Sequence, residues 1–172
     1  KKEEGDLYSA LVGYDKAIEL NPNYAAAYNN RGLIRKAKYN FDEAMADFNK
    51  AIELEPSLYA AYVNRGDTKR DKGDSNGALD DYGKAIELQP DSAAAYNNRG
   101  ELKRGKKDLD GALQDYNRAI ELKPDSPIYF CNRSLAKLSK RDLEGAFADC
   151  SKAIELKSDF AIAYNNRGMV KQ

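Results

Sequence analysis

Asn30, Asn64, Asn98, Asn132 and Asn166 stand 34 residues apart, and each is followed directly by an arginine. A carboxamide both donates and accepts hydrogen bonds, so a row of them can hold the N–H and C=O groups of an extended peptide whatever side chains that peptide carries. Asparagine is a mediocre helix former, which favours a binding role for five in register over simple tolerance on a solvated face. Arg31, Arg65, Arg99 and Arg133 are each followed sixteen residues later by Asp47, Asp81, Asp115 and Asp149; Arg167 has no such aspartate. Guanidinium and carboxylate recurring at one spacing predict bidentate, partly buried pairs, which set the register of two elements more than they add net stability.

Catalysis has little to work with. The chain has no histidine, the commonest general base, and its carboxylates recur as caps and pair partners rather than as one unique cluster. No enzyme activity, no cofactor and no metal site is expected. Cys131 and Cys150 are too few for a disulfide scaffold; Cys150 takes a core aromatic's place and Cys131 is read as facing outward, which predicts free thiols. The stretch from Gly100 to Lys107 nearly spells a phosphate loop, but it falls in a helix pattern, and Lys107 replaces the hydroxyl residue that would hold the metal. Asn132-Arg133-Ser134 is a glycosylation sequon in a helical position, a poor acceptor.

The elements that carry these residues follow from the period. Ala25 to Gly32 returns at Tyr59 to Gly66, Ala93 to Gly100, Pro127 to Ser134 and Ala161 to Gly168. Each unit reads as two helices: one holding Tyr28 and Gly32 to about Lys38, and one from Asn40 with Phe41, Ala44, Phe48, Ala51 and Ile52 on one face. Asp6, Asn40, Asp74, Asp108 and Asp142 stand where they would cap the second helices, with Asn40 and Glu43 forming a capping box. Pro22, Pro56, Pro90 and Pro124 end those helices, and Asp91-Ser92 or Asp125-Ser126 cap the next first helix. Gly32, Gly66, Gly100 and Gly168, with Ala44, Ala78, Ala112 and Ala146, allow close approach within a pair. The expected organisation is one solenoid: a half repeat at 1–24, complete repeats at 25–58, 59–92, 93–126 and 127–160, and a half repeat at 161–172.

The period, the helix pair, the glycine, the two alanines and the proline resemble the tetratricopeptide repeat (TPR). Tyr28, Tyr62, Tyr96, Phe130 and Tyr164 stand where that family often has tryptophan, and Arg35, Lys69, Lys103, Lys137 and Lys171 where it often has tyrosine. These departures suggest an Asn-Arg-Gly subtype. The resemblance implies an all-α, right-handed superhelical solenoid of antiparallel helix pairs, acting as a non-catalytic protein–protein interaction scaffold. It also implies that the asparagine row lines a concave groove, similar to the asparagine ladder of the nucleocytoplasmic N-acetylglucosamine transferase. The candidate peptide-binding residues are then Asn30, Asn64, Asn98, Asn132 and Asn166 with Asn29, Asn97, Arg70, Arg104, Leu135 and Leu138. Asp67, Arg70, Glu101 and Arg104 make a mixed polar floor, while Ile128, Cys131, Leu135, Leu138, Ile162 and Met169 turn the groove apolar.

The partner is expected to be a protein or peptide. Co-chaperones of this family hold chaperone C-terminal carboxylates with paired cations, but around Asn132 those places hold Asn97, Glu101, Ile162 and Asn166, which argues against such a tail. Basic residues gather at the ends of the first helices, yet 28 basic against 28 acidic side chains favour a helix-terminus role over nucleic acid or an anionic membrane. No apolar run reaches a membrane span, and the compartment stays open, with the cytoplasm expected. An alternative function is self-assembly. The helix at about Leu7 to Leu20 and the helix at about Ala161 to Lys171 are halves of one repeat, which predicts weak head-to-tail stacking; Arg167 would meet Gly13 there instead of an aspartate.

Overall fold

The computed structural model describes residues 2–170, so Lys1, Lys171 and Gln172 lie outside the described residues. Ten helices follow one another: α1 (Lys2–Leu20), α2 (Ala25–Ala37), α3 (Phe41–Leu54), α4 (Tyr59–Asp71), α5 (Ser75–Leu88), α6 (Ala93–Gly105), α7 (Leu109–Leu122), α8 (Pro127–Ser139), α9 (Leu143–Leu156) and α10 (Ala161–Val170). They fall into two compact units, Lys1–Pro90 and Asp91–Gln172. In the first, each helix from α1 to α5 packs on the next, and the first helices α2 and α4 also touch. In the second, α6 to α10 pack in the same way, with α8 touching both α6 and α10.

Close packing inside a pair rests on a small residue facing a ring. A Cβ on Gly32 would come within 2.7 Å of the Phe48 ring, and one on Gly66 within 2.9 Å of Tyr82, so only glycine lets these helices approach. The α8–α9 pair reaches the same end with other volumes: Ser134 replaces the glycine, Cys150 replaces the ring, and both are buried. Ala44, Ala78, Ala112 and Ala146 are fully buried, as are Ala51, Ala85, Ala119 and Ala153. Gly168 differs, because nothing lies within 4 Å of its would-be Cβ. It marks no contact among the described residues, since α10 has no second helix packed after it there.

The caps divide by their third residue. Asp74, Asp108 and Asp142 accept the backbone N–H groups of Gly77, Gly111 and Gly145 at 2.9, 3.0 and 2.9 Å. A Cβ at Gly77, Gly111 or Gly145 would sit 2.2 Å from Oδ2 of the capping aspartate, the oxygen that does not accept the cap bond, so glycine leaves room for the carboxylate in its capping position. Glu43 occupies that place in α3, and there the expected capping box fails. Asn40 makes no side-chain cap, and its own N–H is taken by the Arg35 carbonyl at 2.9 Å. Asp6 is no cap either, because α1 begins at Lys2 and runs through it; lysine and glutamate are good helix formers and nothing turns the chain at Asp6. Ser92 caps α6 through the Ala95 N–H at 3.4 Å, whereas extended Ser126 makes no side-chain cap ahead of Pro127.

The tight turns inside pairs need a left-handed residue. Gly73 supplies it at φ 87°, while Tyr39, Lys107 and Arg141 adopt it at 62°, 67° and 63° without glycine's freedom. Lys106 and Lys107 therefore lie beyond α6, in the turn rather than in the helix.

Candidate functional site

Three side-chain layers cover the first helices. The innermost is ionic. Arg31, Arg65, Arg99 and Arg133 each donate Nε and Nη2 to one aspartate, the Nε bonds measuring 3.0, 2.9, 2.9 and 2.8 Å and the Nη2 bonds 2.6, 2.6, 2.7 and 2.6 Å. Asp47, Asp81, Asp115 and Asp149 are buried, and each holds a second cation. Arg35 reaches Asp47 at 2.8 Å, Lys69 reaches Asp81 at 2.8 Å, and Lys103 and Lys137 reach Asp115 and Asp149 at 2.9 Å. Four residues of the sequence's basic clusters thus face inward. The signal was available: a residue four after the arginine shares its helix face.

Each arginine also lies over the ring three residues before it. The guanidinium carbons of Arg31, Arg65, Arg99 and Arg133 sit 5.4, 5.5, 5.6 and 5.6 Å from the centroids of Tyr28, Tyr62, Tyr96 and Phe130. The Asp47 bond first, then the Asp15 bond, outweigh burial and raise the Arg31 pKa still further above its usual value. Arg167, which lacks the aspartate, rests 5.2 Å from the Tyr164 ring and 6.0 Å from Phe147.

The second layer is the asparagine row, and its geometry departs from an open ladder. Asn29, Asn97 and Asn166 are only 7%, 8% and 3% exposed, so they do not line an open groove. Asn64 donates to Asn29 Oδ1 at 2.9 Å, and Asn132 donates to Asn97 Oδ1 at 2.8 Å. Asn29 and Asn97 in turn donate to Asn30 and Asn98 at 3.3 Å. Asn166 turns inward, toward the Cys131 carbonyl at 3.3 Å and Ser134 Oγ at 3.4 Å. The carboxamides therefore first link neighbouring first helices, a use that the row's spacing concealed. Asn30, Asn64, Asn98 and Asn132 are half-buried at the outer edge of this network.

The third layer holds the charges and apolar groups beyond. Lys36 on α2 reaches forward to Asp67 and Asp71 on α4 at 3.8 and 3.3 Å, and Arg70 lies 3.6 Å from Asp67. The Tyr82 hydroxyl donates to Asp67 Oδ1 at 2.5 Å; burial first, then the Asp67 charge, raise its pKa well above the usual phenol range. Arg104 is half-buried on α6, Leu135 and Leu138 are half-buried on α8, and Ile162 and Met169 are exposed on α10. Cys131 is fully buried rather than facing outward, packed with Phe130, Ala153 and Ala163, and burial pushes its thiol up to about 12. Both thiols are free and both are buried. Among the described residues no helix is long and apolar enough to cross a membrane, and no three metal-ligating side chains stand together.

Helix pairs joined by this repeated ion-pair register match family profiles along most of the chain: tetratricopeptide repeat at residues 25–58 and 63–127, and TPR repeat at residues 2–38. The chain belongs to the tetratricopeptide repeat family. No curated protein matches it. Among solved structures, this TPR chain is similar to MamA, with 24% identity over 94% of each chain and a TM-score of 0.80. It is similar to YrrB, described as a TPR protein with an unusual peptide-binding site, with 26% identity over 97% of this chain and 86% of that one, at a TM-score of 0.77. TTC0263, a thermophilic TPR protein in Thermus thermophilus, matches at 19% identity over 99% of this chain and 93% of its own, with a TM-score of 0.77. MamA and TTC0263 speak to the fold alone. The TPR chain is an all-α helical-repeat solenoid, and a binding and scaffold role follows from its family.

Proposed function

We propose that this TPR chain is a non-catalytic scaffold that holds an extended peptide segment along the outer face of its first helices. The observation that carries this reading is the pair of half-buried carboxamides held in place by a neighbouring asparagine. Asn64 and Asn132 each give one N–H to Asn29 and Asn97, which fixes the orientation of the carboxamide and aims its oxygen as a strong acceptor. A peptide N–H is the group that such an oxygen takes. Asn29 and Asn97 are then positioning residues, not contacts. Likeness to a TPR protein with a peptide-binding site supports the same reading.

The test is an array of capped random heptapeptides read with the wild type and with Asn64→Ala/Asn132→Ala, both checked by circular dichroism. The variant is expected to stay helical with a lower melting point, because Asn29 and Asn97 lose their donors, and to lose most bound peptides. An unchanged set of bound peptides removes these carboxamides from the mechanism.

A further inference from the structure

Resting on the peptide-binding reading, we infer that Arg104 is an acceptor-seeking position that selects an acidic residue in the bound segment. Two buried polar atoms among the described residues lack hydrogen-bond partners, and they are neighbours: Arg104 Nε and Tyr116 Oη. The Tyr116 ring is fully buried, and the Arg104 guanidinium beside it offsets part of the burial that raises the phenol. Both atoms carry a hydrogen to donate. The phenol oxygen can take a hydrogen from Arg104, but the phenol's own hydrogen finds no acceptor there, and an unmet buried donor is costly enough that native chains rarely keep one.

The first unit shows what the missing group is. There Tyr82, the equivalent of Tyr116, donates to the Asp67 carboxylate at 2.5 Å, and Arg70, the equivalent of Arg104, stands 3.6 Å from the same carboxylate. In the second unit the place of Asp67 is held by Glu101, which is engaged in interactions of its own and makes no bond to Tyr116. The forward route is closed as well. Lys36 finds Asp67 and Asp71 on the next first helix, but the corresponding places ahead of Arg104 hold Leu135 and Ser139. The Ser139 hydroxyl is directed back to the Leu135 carbonyl at 2.9 Å. A half-buried guanidinium on α6, which touches the helix α8 that carries half-buried Leu135 and Leu138, therefore fits a segment in which an aspartate or glutamate adjoins apolar residues, the carboxylate meeting Arg104 and the apolar groups meeting the leucines.

The capped heptapeptide array tests this with three proteins: wild type, Arg104→Met and Glu101→Asp. The second variant installs the shorter acid that serves Tyr82, giving the site an internal acceptor. Asp and Glu are expected to be enriched among peptides bound by the wild type. Both variants lose that enrichment while still binding neutral peptides, and the best acidic peptide weakens about tenfold or more. Melting curves establish that each variant is folded. Binders without acidic enrichment, or enrichment that survives in Arg104→Met, overturn this inference and leave the peptide-binding reading standing. No binders at all to the wild type overturn both.

Discussion

Arg65 and Asp81 meet through two parallel bonds, Nε to Oδ2 at 2.9 Å and Nη2 to Oδ1 at 2.6 Å, and Lys69 closes on the same carboxylate at 2.8 Å. One buried anion thus holds two cations from a single helix face to the helix packed against it. Breaking such a group by removing one member strands the others, whereas replacing the whole group by apolar residues can be nearly neutral. Asp81→Ala is expected to cost about 3 kcal/mol in urea unfolding. The triple change Arg65→Met/Lys69→Met/Asp81→Leu should recover most of that loss. If the triple variant is as unstable as the single, the group contributes net stability rather than register alone.

Tyr82 and Tyr116 hold equivalent places with opposite hydrogen-bonding fates, and the two hydroxyls should respond oppositely to removal. Tyr82→Phe takes a donor from a carboxylate and is expected to cost about 1–2 kcal/mol. Tyr116→Phe deletes a hydroxyl without a partner and should be neutral or stabilising. Equal losses in the two variants would show that Tyr116 has an acceptor after all.

Alkaline stability follows from the same two rings. Burial raises the Tyr116 phenol from 10.0 to about 12, so the folded chain holds this proton more tightly than the unfolded chain does. The corresponding stability is fully present below pH 10 and is lost as pH rises toward about 12. Tyr82 and Cys131, also raised, add to the fall. Urea unfolding across this range should decline less steeply in Tyr116→Phe than in the wild type. Identical slopes would mean that the phenol titrates alike in both states.

Glycine to alanine changes in helices should split by position. Gly13 in α1 has nothing within 4 Å of a would-be Cβ, so Gly13→Ala should gain about 1 kcal/mol from helix propensity. Gly111 has Asp108 Oδ2 at 2.2 Å, so Gly111→Ala should lose the cap, a cost of about 1 kcal/mol or more that cancels the propensity gain. Thermal melts of the two variants give the comparison. A gain at Gly111 as large as at Gly13 would show that the cap contributes nothing.

By itself the sequence determined what repeats and at what interval. Helix pairs, their ends two residues before each proline, and the glycine seats beneath Phe48 and Tyr82 follow from a 34-residue period read against a 3.6-residue helix. The swap of Gly for Ser134 and of a ring for Cys150 in one pair could be read there too, because both changes fall in the same unit and compensate in volume. Only tertiary structure decided which of two adjacent asparagines turns inward. Asn29 and Asn30 differ by one residue, about 100° of helix rotation, and both lie near the boundary of the buried face. The rotation that buries Asn29 is set by packing on α1, α3 and α4, and no period encodes it. The same holds for Lys69, whose long stem can lie outward or fold onto Asp81, and for Asn166, which Ser134 and the Cys131 carbonyl draw inward. A repeat places side chains of one kind at one height along each helix; whether a given polar tip meets a neighbour or water depends on the distance to the next helix, and that is settled only when the helices pack.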